Sequence, residues 1–307
     1  MYREDIIAVI PTHYRPGYFE AALKSVLEQT VKCDVLIIDS GHHKYTKEII
    51  EKYNNFTNKR KIIYKEIENI SPANNFYEGF KTAYEMGYEW TWVMDDDAQA
   101  EKETIEELLK YISISDGILV STVLTFYDNT ISFFHRRHVK NNFIFIEYNS
   151  SLDEYNKNYF ECDTVSFVSL LISKKLLNEI GFNNRDFFFQ YDDTDFSIRI
   201  RLKNKKILNI NESRVFHGKK SKENNKYEYS IKEIYGLRNR MYIIKKYSKN
   251  RIMANFFNTY TFIKGILSTI IRERYKGYKF ERFKGIVRAY ISAEREELGE
   301  IIINNRD

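Results

Sequence analysis

Cysteine is nearly absent: Cys33 and Cys162 are the only two among 307 residues, far apart and without pairing or metal-ligand spacing around them. This argues against a disulfide framework or a zinc site and fits a reducing compartment. No low-complexity linker and no internal repeat interrupts the chain. No apolar run reaches the roughly 18 uninterrupted residues that a membrane-spanning helix needs. The opening Met-Tyr-Arg-Glu-Asp leads straight into a strand-like run, so no secretory signal is expected and the expected location is cytoplasmic. What the chain has is 43% hydrophobic residues, enough for a substantial core. Its net charge of +5 is unevenly spread: between Arg238 and Arg288 there are 14 Lys or Arg against only Glu273 and Glu281. The tail is basic and the body acidic.

Ile6 to Ile10 is a continuous apolar run closed by Pro11, the pattern of a parallel strand buried on both faces. Phe19, Leu23, Val26 and Leu27 then repeat at helical spacing behind Pro16 and Gly17. A second buried run, Val35 to Ile38, ends in Asp39-Ser40-Gly41. Further helical segments across Ile49 and Tyr53 and through Phe76, Phe80, Ala83 and Tyr84 flank a short strand at Lys61 to Tyr64, and another strand runs into Asp95. Alternation of this kind predicts an α/β fold with right-handed crossovers and a mostly parallel sheet, whose ligands sit at the carboxyl ends of the strands. Strands are also expected at Gly117 to Leu124, Thr130 to His135, Asn142 to Tyr148 and Thr164 to Ile172, where the sheet becomes mixed. From about Ile231 onward the pattern is wholly helical, which predicts a body over residues 1–230 and a basic helical appendage over 231–307.

The chemistry concentrates at the strand ends. Asp95-Asp96-Asp97 directly follows Trp90, Trp92, Val93 and Met94. Carboxylates clustered at a strand's carboxyl end suit a hard divalent cation such as Mg2+ or Mn2+, which favours oxygen ligands and completes its shell with substrate phosphates and water. The bland alternative is an acidic loop in which Asp97 caps the helix suggested by Ile105, Leu108, Leu109 and Ile112. A second cluster, Asp192-Asp193-Thr194-Asp195, is crowded enough for like charges to raise one another's pKa towards that of a working base, although acids also cap helix N-termini. His217 follows alone, ahead of the polar stretch from Gly218 to Lys226, which suits closure over a nucleotide. His13, His42, His43, His135 and His138 read as surface or pocket residues, and Arg136 and Arg137 either as a solvated pair or as contacts to acceptor or phosphate.

Together, Val9-Ile10-Pro11-Thr12-His13-Tyr14-Arg15, the strand end Ile37-Ile38-Asp39-Ser40-Gly41, the Asp95–Asp97 triplet, the Asp192–Asp195 cluster and His217 resemble a family 2 glycosyltransferase of the GT-A fold, most closely the bacterial galactofuranosyltransferase and rhamnosyltransferase group. Tyr235 to Arg240 resembles the Tyr and Arg-Asn segment that follows the catalytic region in that group. The resemblance implies a Rossmann-like, mostly parallel mixed sheet flanked by helices. It implies that Asp95, Asp97 and His217 hold Mn2+ or Mg2+ with the donor diphosphate, that Thr12, Arg15, Asp39 and Asp96 bind the nucleotide, with Asp39 on its base, and that Asp193 is the general base of an inverting displacement. The implied donor is a nucleotide sugar, UDP-galactofuranose ahead of dTDP-rhamnose, and the implied acceptor a glycan or polyprenyl-linked sugar in cell-surface polysaccharide synthesis. Where many members carry a glycine-rich turn beside the donor, this chain reads Asn69-Ile70-Ser71-Pro72-Ala73-Asn74.

A nucleotidyltransferase or phosphohydrolase could also use strand-end acids, but a nucleotidyltransferase calls for a glycine-rich basic phosphate loop, and the first loop is Pro11-Thr12-His13-Tyr14-Arg15-Pro16. A non-catalytic scaffold would be expected to lose at least one of Asp95, Asp97, Asp193 and His217. The basic tail interleaves its cations with Phe, Tyr, Ile and Leu, a composition suited to the anionic inner face of a membrane. No nucleic-acid module is apparent. Packing of these helices on the body or on a second copy of the chain is the competing expectation.

Overall fold

The computed structural model describes residues 2–54, 60–218 and 230–301. In chain order its elements are β1 Tyr2–Thr12, α1 Pro16–Leu27, β2 Lys32–Asp39, α2 Lys44–Asn54, β3 Ile62–Glu66, α3 Pro72–Glu85, β4 Trp90–Val93 and β5 Ala98–Ala100. After α4 Thr104–Leu109 come β6 Ile118–Thr125, β7 Arg136–Lys140, β8 Ile146–Asn149, α5 Leu152–Tyr155, β9 Tyr159–Cys162, β10 Thr164–Val165 and β11 Leu170–Ser173. The chain continues through α6 Lys174–Ile180, α7 Asp192–Leu202, β12 Ile207–His217, α8 Ile231–Tyr247, α9 Arg251–Ile271 and α10 Lys279–Glu294.

The main sheet runs β3-β2-β1-β4-β11-β6-β12-β5, with β9 added to β12, while β10, β7 and β8 form a small second sheet. Strands β3, β2, β1 and β4 are mutually parallel, whereas β11 lies antiparallel between β4 and β6. The continuous apolar run of β1 is explained by burial on both faces: Ile6, Ala8 and Ile10 enter one core with α1, and Ile7 and Val9 enter the other with α3. Two registers matter for the site. Thr12 lies beside Asp39, and His217 at the end of β12 lies beside Ala98, one residue from the acidic triplet.

The expected strand at Thr130 to His135 is instead a single bridge from Ile131 to Leu124 and a 3-10 turn over Phe133–His135. The chain turns there because Arg136, expected at the surface or in the pocket, is fully buried and delivers its guanidinium to the carbonyl oxygens of Ser121, Val168 and His135 and to Asn209 Oδ1. His135 is buried as well, its Nδ1 2.7 Å from Ser166 Oγ. The expected strand at Thr164 to Ile172 breaks into β10 and β11 at Ser169, whose φ of 54° places its hydroxyl in a buried chain with Trp92 Nε1, Ser121 and Ser213. From Asn142 to Tyr148 only the end is strand, since Phe145 turns inward and its N–H donates to Ser248 Oγ.

Candidate active site

The triplet occupies the turn between β4 and β5. Helix α4 starts only at Thr104, behind Glu103, so Asp97 is not its cap. His217 Nε2 lies 3.1 Å from Asp97 Oδ1 and 3.4 Å from Asp95 Oδ2. Burial alone would lower the His217 pKa, but hydrogen bonds and charge from Asp95 and Asp97 outweigh it and raise it to about 10. Burial conversely pushes Asp97 up, and the His217 hydrogen bond and charge more than reverse this, leaving its carboxyl below the ordinary range. The imidazolium thus supplies a positive charge that the two carboxylates demand. One ligand atom from each of these three residues lies within 4.8 Å of the others. A cation with oxygen ligands at about 2.1 Å spaces its donors roughly 3 to 4.2 Å apart, close to the spacing of these three atoms. Two carboxylates and one imidazole are also a suitable donor set for Mn2+.

The middle acid turns the other way. Asp96 Oδ2 accepts a 2.8 Å hydrogen bond from Thr12, and Arg15 Nη1 stands 3.4 Å from its Oδ1 and 2.8 Å from Asp97 Oδ2. Burial raises Asp96 to about 6 against the opposing pull of Arg15 and Thr12. Asp39 is wholly buried. Its Oδ1 accepts from the N–H groups of Gly41 and His42, and its Oδ2 from Tyr64. It thereby shapes the loop after β2, while its neighbour Ser40 lines the cavity and accepts a 2.8 Å bond from Asn75. At Gly41 a Cβ would stand 2.3 Å from the carbonyl oxygen of His13, so only glycine allows the loops after β1 and β2 to meet.

Across the cavity, Asp192 and Asp193 begin α7 behind a strained turn in which Phe188, Gln190 and Tyr191 all have φ between 65° and 68°. Such conformations cost of order 1–3 kcal/mol each and persist only where the surroundings impose them. Here α8 imposes them. The Asn239 amide donates to the carbonyls of Phe187, Phe189 and Gln190, and Arg238 Nη2 donates to Phe187 as well. The Tyr235 ring stacks on Phe188 at 4.8 Å.

Burial pushes the Asp192 carboxyl up and the charge of Asp193 adds to it, opposed by a hydrogen bond from Asn183. Burial also raises Asp193, with Arg137 pulling it back and Glu147 and Asp95 adding to the rise. The Arg137 guanidinium is itself held by Glu147 at 3.1 Å. Asp195, the remaining acid of that cluster, points away and is matched by Arg199, Lys246 and Tyr247.

One open cavity of about 590 Å3 joins Thr12, Arg15, the whole triplet, His217, Asp192 and Asp193. Of the expected metal, nucleotide and base residues, Asp39 alone does not line it. The polar stretch after Gly218 falls at 219–226, outside the described residues. Sequence reasoning missed the cavity contributions of Asn75, Phe188 and Gln190 and the clasp made by Asn239. Only the Tyr235–Arg240 resemblance pointed near that clasp.

A family model described as glycosyl transferase family 2 matches residues 7–181. No curated protein matches the sequence. Among solved structures, GalNAc-T7 with UDP, GalNAc and Mn2+ aligns at TM-score 0.62 and 13% identity, over 95% of this chain and 56% of its own. This chain therefore spans little more than half of that protein's length. TarS of S. aureus with UDP-GlcNAc aligns at TM-score 0.55 and 15% identity, over 94% of this chain and 81% of its own. At these identities the likeness establishes a GT-A-like fold, a mixed, mostly parallel sheet flanked by helices with further helices at the C-terminal end.

Proposed function

The chain belongs to glycosyl transferase family 2, and from that membership we propose that it is a metal-dependent inverting glycosyltransferase acting from a nucleotide sugar onto a glycan or polyprenyl-linked acceptor. The observation that carries this reading is the meeting of Asp95, Asp97, His217, Arg15 and Asp193 around one cavity. In this reading residues 1–230 are the catalytic body, and 231–307 add the helices that brace it and set it on the inner face of the membrane. UDP in one similar structure and UDP-GlcNAc in the other favour a uridine donor. UDP-galactofuranose is proposed ahead of dTDP-rhamnose, from the triplet followed by Ala98 and the later His217.

Asp95, Asp97 and His217 would hold Mn2+ or Mg2+. When bound, the cation supplies positive charge against the diphosphate as it departs. Thr12, Arg15 and Asp96 would grip the phosphate and ribose side, and Asp39, by fixing the loop that carries Ser40, would shape the base pocket. Asp193 would take the proton of the acceptor hydroxyl as that oxygen bonds to the anomeric carbon and the bond to the nucleoside diphosphate breaks. A thermal-shift screen of nucleoside diphosphates with and without Mn2+ tests this reading. Ligand at a hundred times its Kd adds about 2.7 kcal/mol, so UDP or dTDP with Mn2+ should raise the melting temperature, and no nucleotide doing so would reject it.

Because burial raises Asp193 and a base must be ionised to act, transfer should be full above that raised pKa and decline as pH falls through it. A pH profile at saturating donor should therefore show an acid limb well above the ordinary carboxylate value near 4. A limb at the ordinary value would point to an unburied base.

Asn239→Ala takes the side-chain donor from the Phe189 and Gln190 carbonyls, at a cost of about 1–3 kcal/mol for each buried group so orphaned, while Phe187 keeps its bond from Arg238. The expected result is a lower melting temperature and a transfer rate that falls more than nucleotide affinity does, since the turn carries Asp193 and not the metal ligands. Equal losses in both would show that Asn239 supports the whole fold and has no selective hold on the base.

A further inference from the structure

We propose that the outer face of α9 seats the protein on an anionic lipid surface, an inference that rests on the exposed faces of the C-terminal helices and not on the reaction proposed above. Helix α9 packs Phe262 and Ile266 half-buried against α8 and α10, yet turns more of its large apolar side chains outward than inward. Its fully buried positions are Ala254, Asn258 and Thr269, with Asn258 donating to the carbonyl of Met241. Phe256, Tyr260, Ile263, Leu267, Ile270 and Ile271, by contrast, are 50–74% exposed. They recur at three- and four-residue steps, forming one apolar stripe about 22 Å long at 1.5 Å per residue. An exposed apolar patch of this extent marks a surface meant for contact.

Charge decides the occupant. From Arg251 to Arg288 there are nine Lys or Arg against Glu273 and Glu281, and of the nine, Arg251 and Arg282 pair with Glu296 and Glu233 outside that stretch. Several of the cations adjoin the apolar side chains directly. Lys264 Nζ lies 5.9 Å from the centre of the Tyr260 ring, Lys284 Nζ 4.4 Å from that of exposed Phe280, and Lys279 Nζ donates to the carbonyl of Ile270. Arg272 and Lys276 are exposed at the end of the stripe. A second copy of this face would bring the same cations against one another, whereas anionic head groups would meet them while the stripe enters the interface. No described helix is long and apolar enough to cross a membrane, so the contact is one of lying on the surface.

The test is co-sedimentation of the full chain with vesicles of phosphatidylcholine alone or with phosphatidylglycerol added, at low and high salt. The expected result is at least about tenfold stronger binding to the anionic vesicles at low salt, lost as salt screens the charges. Phe256→Ser with Leu267→Ser should weaken it at least about tenfold. Lys264→Gln with Lys276→Gln should weaken it by about fivefold per cation removed. All four side chains are exposed, and circular dichroism checks that the variants fold. Equal binding to both vesicles, or anionic binding that the Phe256 and Leu267 changes leave intact, overturns the proposal. A lipid-free oligomer that those two changes dissociate, with no vesicle preference, would assign the face to a second copy instead.

Discussion

Asp193→Asn is expected to lower transfer by about 10²-fold or more while donor binding stays intact, the scale of a general-base contribution. The change preserves shape. The side-chain carbonyl of asparagine can still accept the 2.6 Å hydrogen bond that Asp193 Oδ1 takes from the N–H of Thr194, so the start of α7 and the strained turn before it should survive. What disappears is the basic oxygen. Its environment is suited to the task, because burial lifts the carboxyl towards neutrality while Arg137, held by Glu147, keeps it from remaining protonated. Steady-state transfer beside a nucleotide titration separates the two effects. If the variant transferred at a near-normal rate, the base would have to be Asp192, since Asp195 is committed to Arg199, Lys246 and Tyr247.

Asp97→Ala should abolish metal-dependent nucleotide binding. Asp97 is the acid that His217 and Arg15 both approach, at 3.1 and 2.8 Å. Its loss leaves His217 with Asp95 as its one remaining carboxylate in the cluster, so that the three-residue donor set no longer exists. Titration of UDP and dTDP with and without Mn2+ reads the effect. Affinities equal to wild type in both conditions would remove Asp97 from the site. His217 adds a pH dependence: its pKa near 10 means that the free imidazole must shed a proton before it can ligate, so metal affinity should rise with pH up to that value.

Much of this was legible because strands buried on both faces write themselves as unbroken apolar runs. Ile6 to Ile10 and Val35 to Ile38 could hardly be anything else, and acids immediately beyond such runs fall where parallel sheets bind ligands. The breaks were harder. Ser169 takes a left-handed conformation to reach Trp92 and Ser121, and no local pattern announces that. Arg136 and Arg137 read as twins, yet one is buried among backbone carbonyls and the other stands in an ion pair near Asp193. Side-chain direction is decided by tertiary partners far along the chain. For α9, the helical pattern and the mix of cations with apolar side chains suited either a membrane face or packing on the body, and only the burial of Ala254 and Asn258 shows that the stripe faces outward. Asn239 was found only as part of a resemblance, because its role depends on three carbonyls some fifty residues upstream.

The measurement closest to the central claim is electron paramagnetic resonance of Mn2+ titrated into the full chain in the presence of UDP or dTDP, where ion captured by the protein leaves the free-ion signal. Beyond what nucleotide alone removes, wild type should take up one Mn2+ per chain and Asp97→Ala none. Equal uptake by the two proteins, or none by wild type with either nucleotide, would contradict it.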